Sequence, residues 1–157
     1  GLGDVYKRQD HVREAFPELV KVDADVVAFD WQGRQIVATN QGDPSDPVLL
    51  VADIGRGEVG EFGTLREFTG ILRHDDMVSQ VFAEPFYQEW KASVGAPDAG
   101  LPFTDSVGFS VPLYLGGEHS VANLEQTDTD MLWGIGTQIW AQVRDLPPGT
   151  PIRLDLG

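Results

Sequence analysis

The chain has 157 residues, 41% hydrophobic and 23% charged, which is the make-up of one folded domain rather than of a disordered segment. Its formal charge of -14 argues against nucleic acid and anionic membrane surfaces as partners, since both are recognised through clustered Lys and Arg; it favours a basic partner or plain solubility. The absence of cysteine removes disulfides, thiolate-bound zinc and thiol catalysis, and no apolar run approaches the roughly 20 residues that a bilayer-spanning helix needs.

Residues 1–9 read GLGDVYKRQ and resemble the in-frame translation of a sequencing adapter, a contaminant of metagenomic reading frames. Such a segment stands outside fold reasoning. The expectation is one domain over residues 10–157, truncated at its N-terminus, with the native start and any leader missing and the cytoplasm as the expected compartment. His11 to Phe16 reads as the end of a helix stopped by Pro17.

Ala24 to Asp30 and Arg34 to Thr39 are rich in Val, Ile, Phe and Ala. Asp30-Trp31-Gln32-Gly33 joins them, with Gly33 suited to a left-handed turn position, so the pair predicts a β-hairpin. Asn40 to Pro47 (NQGDPSDP) reads as a polar turn. Val48 to Asp53 is an apolar strand, Ile54 to Gly57 a turn, and Glu58 to Phe62 alternates as a half-buried strand does. The result is a four-strand meander.

Thr64-Leu65-Arg66-Glu67 is a capping box, and Leu65, Phe68 and Leu72 give the following helix an apolar face. His74-Asp75-Asp76 breaks it. Val78, Phe82, Phe86, Trp90 and Val94 recur every four residues as a second helical region, and Pro85 predicts a kink or two short helices with the proline in the first turn of the second. Gly95 to Pro102 reads as a loop. Val107 to Tyr114 then reads as a strand, placed at an edge or bulge by Pro112. Leu115-Gly116-Gly117 turns the chain, and Val121 to Thr127 is extended. Asp128 is an N-cap for a helix to about Val143, with Leu132, Ile135, Ile139 and Val143 on one face. Gly134 and Gly136 cost about 1 kcal/mol each against alanine, which suggests a helix backbone lying close to a sheet. Thr150 to Leu156 reads as a short edge strand. The fold class expected is α+β: an antiparallel sheet, built from the meander and a C-terminal strand pair, with about three helices packed on it.

Gly55-Arg56-Gly57-Glu58-Val59-Gly60 spells the G-x-G-x-x-G dinucleotide fingerprint directly after a strand. The fingerprint needs a helix opening within the glycines, whereas Glu58 to Phe62 reads as strand and Glu58 and Glu61 would repel a phosphate. A β-turn is the better reading, and no cofactor is expected. Gly116-Gly117 lacks a cation for an anion and reads as a tight turn. His11, His74 and His119 are scattered; His74-Asp75-Asp76 carries metal-capable atoms, but adjacent residues rarely converge on one ion, and no metal site is expected. Asp128 and Asp130 flank a helix N-terminus, where the macrodipole accounts for them. Trp133 and Trp140, seven apart, share a flank of the last helix, as a core edge or as a partner-facing hot spot.

Asp30-Trp31-Gln32-Gly33-Arg34-Gln35, followed by a strand pair with an intervening Gly-Glu-Val, resembles bacterial immunity-type domains. Val107-Gly108-Phe109, Val111-Pro112-Leu113, Leu115-Gly116-Gly117 and Val121-Ala122-Asn123-Leu124-Glu125, ahead of an amphipathic helix, resemble the C-terminal domain of type VI secretion immunity proteins, which accompanies a GAD-like domain. The SUKH immunity superfamily has a similar strand-strand-helix rhythm. The resemblance implies no catalytic motif. It implies a non-enzymatic protein that binds and blocks a cognate bacterial toxin, a basic nuclease being one candidate, by laying an acidic surface over the toxin's active site. Glu118, Glu125, Asp128 and Asp130, beside Trp133 and Trp140, are the candidate contacts. A housekeeping scaffold domain and a small carboxylate-dependent enzyme are the alternatives. The sequence does not give an oligomeric state.

Overall fold

A computed structural model of the chain describes residues 2–96 and 100–156, with side chains from residue 8 onward. The chain enters through α1 (Leu2–Ala15) and α2 (Glu18–Lys21), divided at Phe16-Pro17, where proline withholds the donor that would continue the first helix. Val12, Ala15, Phe16 and Leu19 are all buried, so this corner belongs to the core.

The meander has its expected order. β1 (Asp25–Phe29), β2 (Gln35–Asp43), β3 (Asp46–Asp53) and β4 (Glu58–Thr64) pair antiparallel in sequence order. Gly33 turns the first hairpin at φ +80°. The turn expected over Asn40 to Pro47 is far shorter: Gly42 pairs with Pro47 and Asp43 with Asp46, which leaves Pro44 and Ser45 at the tip. The Asp43 carboxylate closes that tip by accepting from the Ser45 amide at 2.9 Å and its hydroxyl at 2.8 Å. The glycine-rich stretch after β3 is a turn leading straight into β4, with Gly57 at φ +66°.

α3 (Leu65–Ile71) opens on the expected capping box. The Glu67 amide donates to Thr64 Oγ1 at 3.3 Å, and the Thr64 amide donates to Glu67 Oε1 at 3.4 Å. α4 (Asp75–Val81) and α5 (Glu84–Ser93) are two short helices with Pro85 in the first turn of the second, separated at Ala83, which takes the left-handed conformation at φ +52°. The expected loop from Gly95 to Pro102 lies partly outside the described residues. Six α-helices, rather than about three, are present among the described residues.

β5 (Asp105–Phe109) and β6 (Leu124–Asp128) form the expected antiparallel pair as a sheet of their own. The strand predicted over Val107 to Tyr114 stops at Phe109. Asn123 takes over the ladder's role: its Oδ1 accepts from the Val111 amide, and its Nδ2 donates to the carbonyls of Val111 and Glu118, each at 2.9 Å. Pro112 then leads into a 3-10 turn, Leu113–Leu115. A second 3-10 turn, Val121–Asn123, replaces the first half of the extended piece predicted there. α6 (Thr129–Val143) follows with Asp128 as its cap, Oδ1 accepting from the Met131 amide at 3.0 Å. The described residues 150–156 form no strand. Instead the Gln142 side-chain amide grips Asp155 like a rung, accepting from its amide at 2.9 Å and donating to its carbonyl at 2.5 Å.

Strand periodicity sends Ile36 and Val37 to opposite faces of the meander, and both faces are covered. On one side Val37, Ala52 and Ile54 pack with Val12, Ala15, Phe16 and Leu19 and with Trp133 of α6. On the other Ile36 and Leu49 pack with Phe68, joined by Phe62 and Phe82. A third cluster, Trp90, Val107, Phe109 and Leu124 with Trp31, Phe86 and Tyr87 at its edge, fixes α5 to the strand pair. The Val107 amide donates to the Trp31 carbonyl at 2.7 Å, tying the small sheet to the first hairpin.

Candidate functional site

α6 is apolar around more of its circumference than one packing surface needs. Thr129, Trp133, Thr137, Ile139 and Val143 are buried, whereas Met131 and Ile135, one turn apart, are 57% and 44% exposed. These two line a groove of about 230 Å³. Leu132, Gly136 and Ile139 of α6, Gly108 and Phe109 of β5, Glu125 and Thr127 of β6 and the Ile54-Gly55 turn complete its walls. Gly108 and Gly136 set its shape. A Cβ on Gly108 would sit 2.8 Å from Leu132 Cδ1, and one on Gly136 2.6 Å from Ile54 Cγ1. A side chain at Gly136 would crowd α6 against Ile54, and one at Gly108 would displace the tip of Leu132 into the groove.

The stretch that supplies β5, β6 and α6 carries charge of one sign. Between Lys91 and Arg144 the sequence contains no Lys or Arg, while Asp105, Glu118, Glu125, Asp128 and Asp130 all fall there. Glu125 stands on the groove wall and accepts from Ser110 Oγ at 3.2 Å. Asp128 and Asp130 sit at the start of α6, next to Met131; one Asp130 oxygen is enclosed without a hydrogen-bond partner. The Arg56 guanidinium lies over the Phe109 ring but is held by Asp53 at 2.7 Å and Gln32 at 3.3 Å.

The six residues expected to contact a partner do not form one patch. Glu125 lines the groove and Asp128 caps α6 beside Met131 at its end, whereas Asp130 is not among the lining residues and lies on the other side of the helix. Glu118 lies in a neighbouring shallow depression with Val111, Gly117 and Asn123. Trp133 is 1% exposed, its indole N–H donating to the Gly33 carbonyl at 2.7 Å, so it joins α6 to the first hairpin and offers nothing to solvent. Trp140 shares the flank of Trp133, as expected, both rings meeting Phe16; it also packs against Gly57 and Tyr114, away from the groove. Burial pushes the Tyr114 hydroxyl far above its ordinary range. Met131 and Ile135 escape sequence reading because a four-residue spacing on a helix signals a core face whether or not anything covers it.

Two other acids are enclosed. Asp30 accepts from the amides of Gln32 and Arg34 at 3.0 Å and from Arg34 Nε at 2.5 Å. Burial pushes its carboxyl above the ordinary range, against the pull of Arg34. Asp53 accepts from the Arg56 amide at 3.0 Å and from its guanidinium. Each acid staples its own turn and is occupied in doing so.

The histidines remain apart. His11 lies beside Gly134, His74 precedes α4, and His119 stacks on Phe86 at 4.6 Å. Among the described residues no three His, Asp or Glu side chains are grouped to hold a metal ion, and no helix is long and apolar enough to cross a membrane. Comparison of the chain with protein-family models, with curated proteins and with solved structures finds no match.

Proposed function

We propose that the chain is a non-enzymatic binding domain of the immunity type, which neutralises a cognate bacterial toxin in the cytoplasm by covering it. The observation that carries this reading is the groove of β5, β6 and α6: an apolar depression with exposed Met131 and Ile135, with Glu125 on its wall and Asp128 at its end, in a stretch without Lys or Arg. Such a surface suits a protein ligand whose own surface is basic. Complementary charge raises the rate of encounter, and buried apolar anchors slow dissociation. Both faces of the meander are packed, so the recognition surface is expected to be preformed.

The test is co-expression with the products of the genes adjacent to its own. A stable complex and survival of otherwise poisoned cells are expected, with an association rate that falls steeply as salt rises. A chain that neither binds nor protects against any neighbouring toxin would refute the reading.

A further inference from the structure

We propose that the groove between β6 and the first half of α6 is the docking site for an amphipathic segment of a basic protein, whose apolar side chains lie against Met131 and Ile135 and whose lysines or arginines pair with Glu125 and Asp128. This deepens the binding reading above and rests on it.

Size argues for side chains of a macromolecule. The groove volume of about 230 Å³ falls below the ~300–1,000 Å³ of pockets that enclose a small ligand. At ~30 Å³ per water it holds roughly eight waters. Ile54, Leu132, Ile135, Gly136 and Ile139 offer those waters few hydrogen bonds, so apolar groups displace them favourably.

Charge selects among proteins. A second copy of this chain is a poor occupant: a two-fold interface sets the same patch against itself, so Glu125 and Asp128 would face their own equivalents in a chain that already carries a net charge of -14. An acidic segment meets the same repulsion. A basic segment without apolar residues would gain only exposed ion pairs, which contribute little and are screened by salt. Only a segment with both properties uses both features of the site. Exposed Met131 adds an unbranched side chain that adapts to differing apolar shapes.

The probe is a synthetic 14-residue amphipathic Leu–Lys peptide. Its controls are a Lys–Ser peptide of equal charge and a Leu–Glu peptide with the same apolar face. Binding is read by fluorescence anisotropy and mapped by amide shifts in NMR. The Leu–Lys peptide is expected to bind and to shift Gly108, Thr127, Ile135 and Gly136, with both controls at least tenfold weaker. Ile135→Asp and, separately, Met131→Asp should each weaken it at least tenfold, and Glu125→Lys severalfold. Both apolar positions are exposed, so the variants should retain the parent amide spectrum outside the groove. Equal binding of the Lys–Ser or Leu–Glu peptide, shifts centred elsewhere, unaltered affinity in both aspartate variants, or self-association through the groove would each overturn the proposal. In the co-expression assay, an Ile135→Asp chain that protects as well as the parent would sink the groove and leave neutralisation standing. Peptide binding in the groove by a chain that protects nothing would do the reverse.

Discussion

Gly134 and Gly136 occupy one helix two residues apart, and replacing each by alanine should move stability in opposite directions. Alanine gains about 1 kcal/mol over glycine in a helix interior. At Gly134 nothing opposes that gain: the new Cβ would lie 3.7 Å from His11 Cε1, an ordinary contact. At Gly136 it would lie 2.6 Å from Ile54 Cγ1, nearly 1 Å inside a normal separation, and Ile54 is 4% exposed with core neighbours behind it. Relieving such overpacking costs about 1–3 kcal/mol. Gly134→Ala should therefore stabilise by roughly 1 kcal/mol, and Gly136→Ala should destabilise by roughly 0–2 kcal/mol. For a chain of this length the first amounts to a rise in Tm of about 2–4 °C. Urea unfolding followed by circular dichroism, with m unchanged across the series, measures both. Equal stabilisation by the two substitutions would mean that α6 does not lie against the end of β3, and the groove geometry would go with it.

Thr64→Ala removes one half of the capping box of α3 and should cost about 1 kcal/mol in denaturant unfolding, with Thr64→Ser restoring most of it. Trp133→Phe deletes the indole bond to Gly33 and leaves a gap between α6 and the hairpin; a loss of about 1–3 kcal/mol is expected, softened because Gln35 Nε2 also donates to the Gly33 carbonyl at 3.2 Å. The Asp43 carboxyl is held below its ordinary range by the Ser45 amide and, second, by the Ser45 hydroxyl. Its small contribution is therefore present above the unfolded carboxyl pKa of about 3.9 and is lost as pH falls through the folded value. Carbon-13 NMR titration should place its midpoint below that of a model peptide, and Ser45→Ala should move it part of the way back.

The local elements were legible in the sequence because short-range physics fixes them. Thr64 and Glu67 are close enough in the chain to cap each other wherever the helix sits. Asp128 caps α6 through its own neighbour, and Pro85 splits a helical region by its ring alone. The apolar run Val48 to Asp53, the glycine turn and the alternation of Glu58 to Phe62 are consecutive in the chain, so the last hairpin of the meander follows. Where sequence reading went astray, a distant partner had intervened. Asn123 reaches back to Val111 and ends a strand that propensity would continue, and Gln142 holds the chain near Asp155 where a strand was expected.

The sequence by itself determined the α+β class, the meander and its turns, the capped helices and the excess of acid, since each depends on neighbours in the chain or on composition. Only the tertiary structure decided which apolar residues of α6 are core and which are surface. Trp133 and Met131 are equally apolar to a periodicity count. One is enclosed by α1 and the first hairpin, whereas the other stands at the mouth of a groove, because burial depends on which distant segments fold over a residue and not on the residue itself.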